Sequence, residues 1–184
     1  MVGEIRDADT AKTAIQASIT GHLVLSSFHA NSTAAAFSRM IDLIGVNPIF
    51  SSSIRLVIAQ RLIRKLSDSK KPRPATPAEQ QYIHSALEGV PQSALNGINL
   101  DDITLYDPVP TESNPFGYAG RTILMEQLVV SDEIAAFIRG DIKEVDAKAI
   151  EATAKKSGML TLEQKGILAA LRGETTLEEI SRVI

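Results

Sequence analysis

Short apolar runs alternate with amphipathic stretches along residues 1–66 of the chain. The runs at residues 1–5 and 22–28 predict two strands, and the second is apolar enough for a parallel strand covered on both faces. A helix is expected to begin at Pro48, whereas residues 54–63 fit a helix or a strand equally well because periodicity does not separate the two. The alternation of strands and helices predicts an α/β sheet, and more of that sheet is expected upstream of Met1.

Capping residues and helical spacing predict the helices of this part. Asp7 begins a helix through Ile19 with a stripe of small residues, and Asn31 to Thr33 supply caps for a helix that ends at Gly45. In the last third, residues 118–130 predict a strand, after which a compact helical subdomain is expected. Its helices are predicted at residues 132–139, 142–157, 162–171 and 177–183, with capping boxes at Thr161 with Gln164 and at Thr176 with Glu179.

Residues 67–115 differ in composition from the segments on either side. Residues 67–74 have the composition of a linker, residues 77–87 predict a helix behind the capping box of Thr76 and Glu79, and residues 103–106 predict a short strand. This segment carries a net charge of −4, against +3 for residues 1–66 and −2 for residues 116–184. The chain therefore divides, by prediction, into a sheet-bearing core at 1–66, an acidic insert at 67–115, and a strand with a helical subdomain at 116–184.

Composition limits the class of protein. A chain of 184 residues with a net charge of −3 lacks the basic face of a nucleic-acid binder, so no nucleic-acid partner is expected. The absence of cysteine excludes disulfides and suits a cytosolic protein. The polar N-terminal residues do not resemble a signal peptide, and no apolar run is long enough to span a bilayer. We expect a soluble, cytoplasmic chain.

Three side chains at the ends of the first two predicted strands carry the candidate chemistry. Glu4 follows an apolar strand, a position at which nucleoside triphosphatases hold Mg²⁺ or its water because ligands collect at the carboxyl ends of strands. His22 and His29 flank the second strand; taken alone, each is more often structural than catalytic, and the pair forms an incomplete metal shell. His84, on the predicted helix of the insert, is expected to lie at the surface.

Several segments resemble motifs of the secretion-superfamily traffic ATPases, the hexameric motors of type II secretion and type IV pilus assembly. M-V-G-E-I-R-D at 1–7 resembles the family's Walker B box, and T-G-H-L-V-L-S-S-F-H-A-N at 20–31 resembles its histidine box. A-Q-R-L-I-R at 59–64 and G-Y-A-G-R-T at 117–122, with Glu126 following, resemble two later segments. G-M-L-T-L at 158–162 and G-E-T-T-L-E-E at 173–179 resemble its closing helices.

The resemblance implies the C-terminal part of a RecA-like P-loop NTPase sheet followed by a small helical subdomain. It implies ATP and Mg²⁺ as cofactors, with Glu4 acting on Mg²⁺ through water, His29 contacting the terminal phosphate and His22 stabilising the same end. The implied partners are other copies in a hexamer and an inner-membrane platform protein, which would hold the motor at the membrane periphery. The nucleotide-binding residues implied in this way are Gly3, Glu4, Arg6, Asp7, Gly21, His22 and His29.

Departures from the family pattern limit these expectations. No G-x-x-x-x-G-K-[ST] loop occurs, so the chain is expected to be a fragment or partial motor that does not hydrolyse ATP alone. Relatives that bind structural zinc use cysteine pairs, whose counterparts here carry no thiol, so no zinc is expected and the insert must be held by packing or be mobile. The insert favours the assembly or secretion branch over the retraction branch. A non-catalytic interaction module derived from such a motor is the alternative, and the sequence does not separate type II secretion from pilus assembly. The zinc-site counterparts are Ser67, Lys70, Thr111 and Asn114.

Overall fold

The computed structural model describes residues 1–184 and has a mixed α/β fold. Two compact units form, residues 1–59 with 126–159 and residues 60–125 with 160–184, so each unit combines two separate stretches of chain. The divisions fall inside strands or between helices and do not follow the three consecutive ranges expected from composition. In chain order the elements are β1 (Glu4–Ile5), α1 (Ala8–Ile19), β2 (Ser27–Phe28), α2 (Thr33–Ile44), a 3₁₀ helix (Pro48–Ser52), β3 (Leu56–Leu66), β4 (Lys71–Pro74), α3 (Pro77–Ala86), α4 (Gln92–Leu95), β5 (Thr104–Asp107), β6 (Tyr118–Val129), α5 (Asp132–Arg139), α6 (Ala147–Lys156), α7 (Leu162–Leu171) and α8 (Leu177–Val183).

The first two helices begin and end where their capping residues predict. Asp7 Oδ1 accepts the Thr10 N–H at 2.8 Å ahead of α1, and the Ser32 hydroxyl accepts the Ala35 N–H at 3.1 Å ahead of α2. Gly45, with φ 76°, ends α2 in a conformation that favours glycine. These caps are local interactions, which explains why the sequence predicts them well.

The core of the first unit lies between α2, α5 and α6. Each fully buried phenylalanine contributes about 1.5–3 kcal/mol to the stability of such a core. Its buried members are Ala34, Phe37, Ile41, Leu128, Ile134, Phe137, Ile138, Ile150, Ala154 and Met159. The helix predicted over residues 142–157 begins only at Ala147, because the Asp146 carboxylate caps it by accepting the Ala149 N–H at 2.6 Å.

The predicted strand over residues 22–28 is wrong in its length and in its burial. Only Ser27–Phe28 forms a strand, parallel to Glu4–Ile5. Leu23 and Leu25 are 87% and 60% exposed. The physical reason is that β1 offers only two residues for pairing, and of the apolar side chains at residues 23–25 only Val24 packs against a core cluster.

The segment that fitted helix or strand is the long strand β3, which pairs with β6. The Val130 N–H donates to the Arg55 carbonyl at 3.0 Å at one end of the pair, and the Ser67 N–H donates to the Gly117 carbonyl at 3.0 Å at the other, so the two strands run antiparallel. Pairing with a partner 50 or more residues away decided between two conformations that local periodicity left equal. The helix expected from Pro48 is a 3₁₀ helix of 5 residues.

The acidic insert is held by packing and ion pairs within the second unit. The linker predicted over residues 67–74 is wrong at its second half, because β4 (Lys71–Pro74) pairs antiparallel with β5. Prolines are tolerated there since β4 is an edge strand. Arg73 donates to Glu79 and Asp107 at 2.7–2.9 Å, and α3 begins with the predicted capping box. The buried apolar cluster comprises Ala75, Ile83, Leu87, Leu95, Ile103, Leu105, Ile167 and Leu168.

The four predicted C-terminal helices all form, but α5 and α6 belong to the first unit, and α7 and α8 to the second. The capping box of Thr161 and Gln164 is complete. At α8 only half of the predicted box forms: the Thr176 hydroxyl accepts the Glu179 N–H at 3.1 Å, while the Glu179 carboxylate binds arginines instead. None of the helices combines the length and hydropathy needed to cross a membrane.

Candidate functional site

The parallel pairing of β1 and β2 brings two of the candidate residues to one edge. Glu4 lies opposite Ser27 and Ile5 lies opposite Phe28, so His29 follows β2 at the same carboxyl edge at which β1 ends. The Ser26 hydroxyl donates to the Gly3 carbonyl and ties the two segments together one residue earlier. This edge is where parallel α/β sheets present ligand-binding side chains.

The Glu4 carboxylate is ionised and partly accessible. Arg6 donates to Glu4 Oε2 through Nε at 2.8 Å and through Nη2 at 2.5 Å, and the Glu4 side chain is 30% exposed. The Arg6 hydrogen bonds lower the pKa of Glu4 most strongly, and the charges of Arg6, His29 and Arg39 act in the same direction. An ionised carboxylate that accepts further hydrogen bonds suits a water molecule of hydrated Mg²⁺, which keeps several of its waters in protein sites.

No three His, Cys, Asp or Glu residues are grouped so that they hold a metal ion directly. The predicted contact of Glu4 with Mg²⁺ by way of water stays a prediction. Such a contact suits a cation whose remaining ligands are waters and substrate phosphates.

Asp7 has a structural role in this geometry. Its two carboxylate oxygens accept the N–H and the hydroxyl of Thr10, at 2.8 Å and 3.0 Å, and these hydrogen bonds lower the pKa of Asp7. The interaction fixes the start of α1 directly after Glu4 and Arg6. Asp7 thus fixes the turn that follows Glu4 and Arg6, and its own predicted contact with nucleotide stays a prediction.

His29 lies exposed at the edge, in the loop ahead of α2. Its carbonyl accepts a hydrogen bond from Arg39 Nη1 at 3.2 Å, and the Arg39 guanidinium lies 5.7 Å from the centroid of the Phe28 ring. Arg39 thereby holds both residues while leaving the imidazole accessible. Sequence reasoning missed Arg39, because only the fold of the α2 helix back along β2 brings it to this edge.

His22 and Gly21 lie at the C-terminal turn of α1. The His22 Nδ1 is 3.2 Å from Thr20 Oγ1 and 3.3 Å from the Ala17 carbonyl oxygen, and Gly21 has φ 93°. The contacts of His22 are therefore made within its own turn, and the structure does not place it against Glu4 or His29. Its predicted role at the phosphate stays a prediction.

A buried carboxylate supports the loop that carries His29. Glu126, 3% exposed, accepts the Thr33 N–H at 2.8 Å and the Thr33 hydroxyl at 2.5 Å through the same oxygen. Thr33 is the first residue of α2 and is fully buried. The sequence singles out Glu126 by its spacing from the G-Y-A-G-R-T segment, but gives no sign of its partner 93 positions away.

Comparison with known proteins shows the family of the chain. The family described as Type II/IV secretion system protein matches residues 1–182. The chain is 40% identical over its whole length to the Type II secretion system protein E of Xanthomonas campestris pv. campestris, and 38% identical to the Type IV pilus assembly ATPase PilB of Pseudomonas aeruginosa. It covers 30% of each of these relatives. In fold it is similar to the Legionella pneumophila ATPase DotB, with a TM-score of 0.57, 18% identity, and coverage of 98% of this chain and 36% of the other.

The fold and the sequence together define a mixed α/β protein of the secretion and type IV pilus traffic ATPase class. More specifically, the chain belongs to the Type II/IV secretion system protein family, as the resemblance of its motifs predicts. It spans about a third of the length of the curated relatives that it matches.

Proposed function

We propose that the chain is the C-terminal part of the RecA-like core, with the helices that follow it, of a hexameric ATPase that powers type IV pilus assembly or type II secretion. The motor would couple ATP hydrolysis to movement of an inner-membrane platform protein and would lie at the cytoplasmic face of that membrane. The observation that carries the proposal is the parallel pairing of β1 with β2, which puts the Glu4 carboxylate beside the segment that ends in His29.

In this proposal each edge residue has a distinct task. Glu4, ionised and partly exposed, accepts a hydrogen bond from a water of Mg²⁺, which when bound neutralises phosphate charge. The exposed His29 imidazole donates to the terminal phosphate, and Gly3 and Arg6 flank Glu4 on the same edge. Arg39, Glu126 and Thr33 hold the loop and helix behind His29. Gly21 and His22 are assigned to the nucleotide by resemblance alone.

ATP and Mg²⁺ would be bound jointly with a phosphate loop that the 184 residues do not contain. Phosphoryl transfer depends on positioning and on neutralising charge, so a chain without that loop is expected to show no ATP turnover by itself. No zinc is required in the proposal, because β4, β5 and the Arg73 ion pairs already hold the insert.

A non-catalytic interaction module is the second candidate function. The observation that favours it is the Glu4–Arg6 pair, in which a cation of the chain itself occupies the carboxylate. The two candidates differ in what Glu4 does in a complete motor: it is essential in the first and replaceable in the second.

The test is a graft of this chain into the Xanthomonas relative, in place of the matching 30% of its length. We expect the graft to hydrolyse ATP, and Glu4→Gln or His29→Ala to lower the rate about 100-fold or more, the loss typical of a removed electrostatic contact. His84→Ala, on the exposed face of α3, is the matched control and should leave the rate unchanged.

Two results would overturn the proposal. One is a correctly assembled graft, judged by its sedimentation, whose ATPase rate survives Glu4→Gln. The other is measurable ATP hydrolysis by the isolated chain, since that would mean that catalysis needs no phosphate loop.

A further inference from the structure

Two of the sequence motifs that the proposed function leaves unused meet in one cavity of the second unit. The A-Q-R-L-I-R segment contributes Arg64 from β3, and the G-Y-A-G-R-T segment contributes Arg121 from β6. A cavity of about 470 Å³ opens between them and α8, a volume within the range of small-molecule sites. Its lining comprises Leu62, Ile63, Arg64, Arg121, Glu179 and Arg182.

Glu179 fixes two of the three arginines in place. Its carboxylate is completely buried and accepts hydrogen bonds from Arg64 Nε and Nη2 at 2.9 Å and 2.6 Å, and from Arg182 Nε and Nη2 at 2.9 Å and 2.5 Å. The Arg64 guanidinium also lies over the Tyr118 ring, 4.2 Å from its centroid. Both guanidinium groups are therefore oriented before any ligand arrives, which reduces the entropy lost on binding.

The cavity keeps a surplus of positive charge. Glu179 is the one carboxylate in the lining and neutralises a single charge of the three arginines, which leaves +2. The Arg64 and Arg182 side chains are still 39% and 58% exposed, so the N–H groups that Glu179 does not use remain accessible. The Arg121 side chain is exposed and makes no hydrogen bond or ion pair.

We propose that this cavity, called here the arginine pocket (Arg64, Arg121, Arg182 around Glu179), binds a phosphate-type anion with two or more negative charges. Two negative charges offset the surplus, whereas a single carboxylate offsets only half of it. Guanidinium groups bind phosphate oxygens through paired N–H donors, and three of them line the cavity. The proposal is independent of the proposed function, because Glu4, His29 and the first unit play no part in it.

The experiment is calorimetric titration of the intact chain with inorganic pyrophosphate at low ionic strength. Arg121→Gln is the decisive variant, because Arg121 supports no other residue and its loss leaves Glu179 paired. We expect one pyrophosphate per chain and binding about 10-fold weaker in Arg121→Gln, equivalent to about 1.4 kcal/mol. Arg55→Gln removes the same charge from an exposed position of the first unit and is the matched control, for which we expect unchanged binding.

Binding to lipid vesicles distinguishes two sources of such a phosphate, a lipid headgroup and a soluble phosphate. Arg121-dependent binding to vesicles that carry phosphatidic acid, with none to phosphatidylcholine vesicles, would support the pocket and assign it to a lipid headgroup. Binding of free pyrophosphate alone would support it and assign it to a soluble phosphate. The proposal is overturned if neither probe binds, if citrate binds as tightly as pyrophosphate, or if Arg121→Gln and Arg55→Gln weaken binding equally.

Discussion

Replacing Thr33 with valine tests the contact that ties α2 to β6 behind the candidate site. The Thr33 hydroxyl donates to Glu126 Oε1 at 2.5 Å, and the two residues are 0% and 3% exposed. Valine has nearly the same shape but no hydroxyl, so the buried carboxylate loses this hydrogen bond and keeps the one from the Thr33 N–H. A hydrogen bond to a carboxylate contributes about 1.5–3 kcal/mol, and we expect the local stability of α2 to fall by that amount.

Amide hydrogen exchange measures this loss where it occurs. Exchange through opening of α2 should accelerate about 10- to 150-fold in Thr33→Val, the ratio that corresponds to 1.5–3 kcal/mol. Peptides from α3, in the other unit, should exchange at unchanged rates and so serve as an internal reference.

Thr13→Val is the matched control for the same change of side chain. The Thr13 hydroxyl donates to the Asp9 carbonyl at 2.8 Å on the exposed surface of α1, so its removal should change stability by less than about 0.5 kcal/mol. Equal exchange rates of α2 in Thr33→Val and Thr13→Val would refute the reasoning, because the buried contact would then contribute no more than an exposed one.

Three further predictions concern the buried Glu179 carboxylate, the contact between Gly166 and Ile180, and the exposed leucines ahead of β2. Burial alone would raise the pKa of Glu179, but its hydrogen bonds with Arg182 and Arg64 outweigh burial and lower that pKa from 4.5 to about 2. The stability that follows from this lowered pKa, about 3 kcal/mol, is fully present above pH 4.5 and is lost as the pH falls towards 2. Acid titration followed by circular dichroism should show this loss in the parent chain and not in Glu179→Gln. Gly166→Ala places a Cβ 2.8 Å from Ile180 Cδ1, so overpacking should destabilise the chain by about 1–3 kcal/mol and lower its melting temperature. An unchanged melting temperature would show that α7 and α8 can move apart without cost. Leu23 and Leu25 are exposed beside a short two-stranded sheet, and this predicts self-association of the chain. Sedimentation velocity should detect the association, and the double variant Leu23→Lys, Leu25→Lys should reduce it. A monomeric parent chain would contradict the prediction.

Interactions between near neighbours in sequence explain which elements were predictable. The caps at Asp7, Ser32, Thr76 and Thr161 each lie within three residues of the group they bind, and the helices behind them start as predicted. The strand β4 was not predictable in this way, because its lysine and proline composition is that of a linker and only pairing with β5, 30 to 36 residues later, makes it a strand.

For the candidate site, the sequence determined the residue types and their order, and the tertiary structure decided which of them meet. Glu4 and His29 are identifiable from their motifs, but it is the register of β1 against β2 that brings their segments to one edge, and the same fold leaves His22 at the turn of α1. Arg39 and the Glu126–Thr33 contact became visible only in the structure.

Glu179 also shows the difference between what the sequence predicts and what the tertiary structure decides. Its sequence position predicts a capping-box residue, yet its carboxylate turns to Arg64, 115 positions away, because two guanidinium groups attract a buried carboxylate more strongly than one backbone N–H does. The sequence by itself determined the family, most of the helices and the chemical groups available to this protein. Only the tertiary structure decided the partners of its buried charges, since those partners are selected by distance in space and not by distance along the chain.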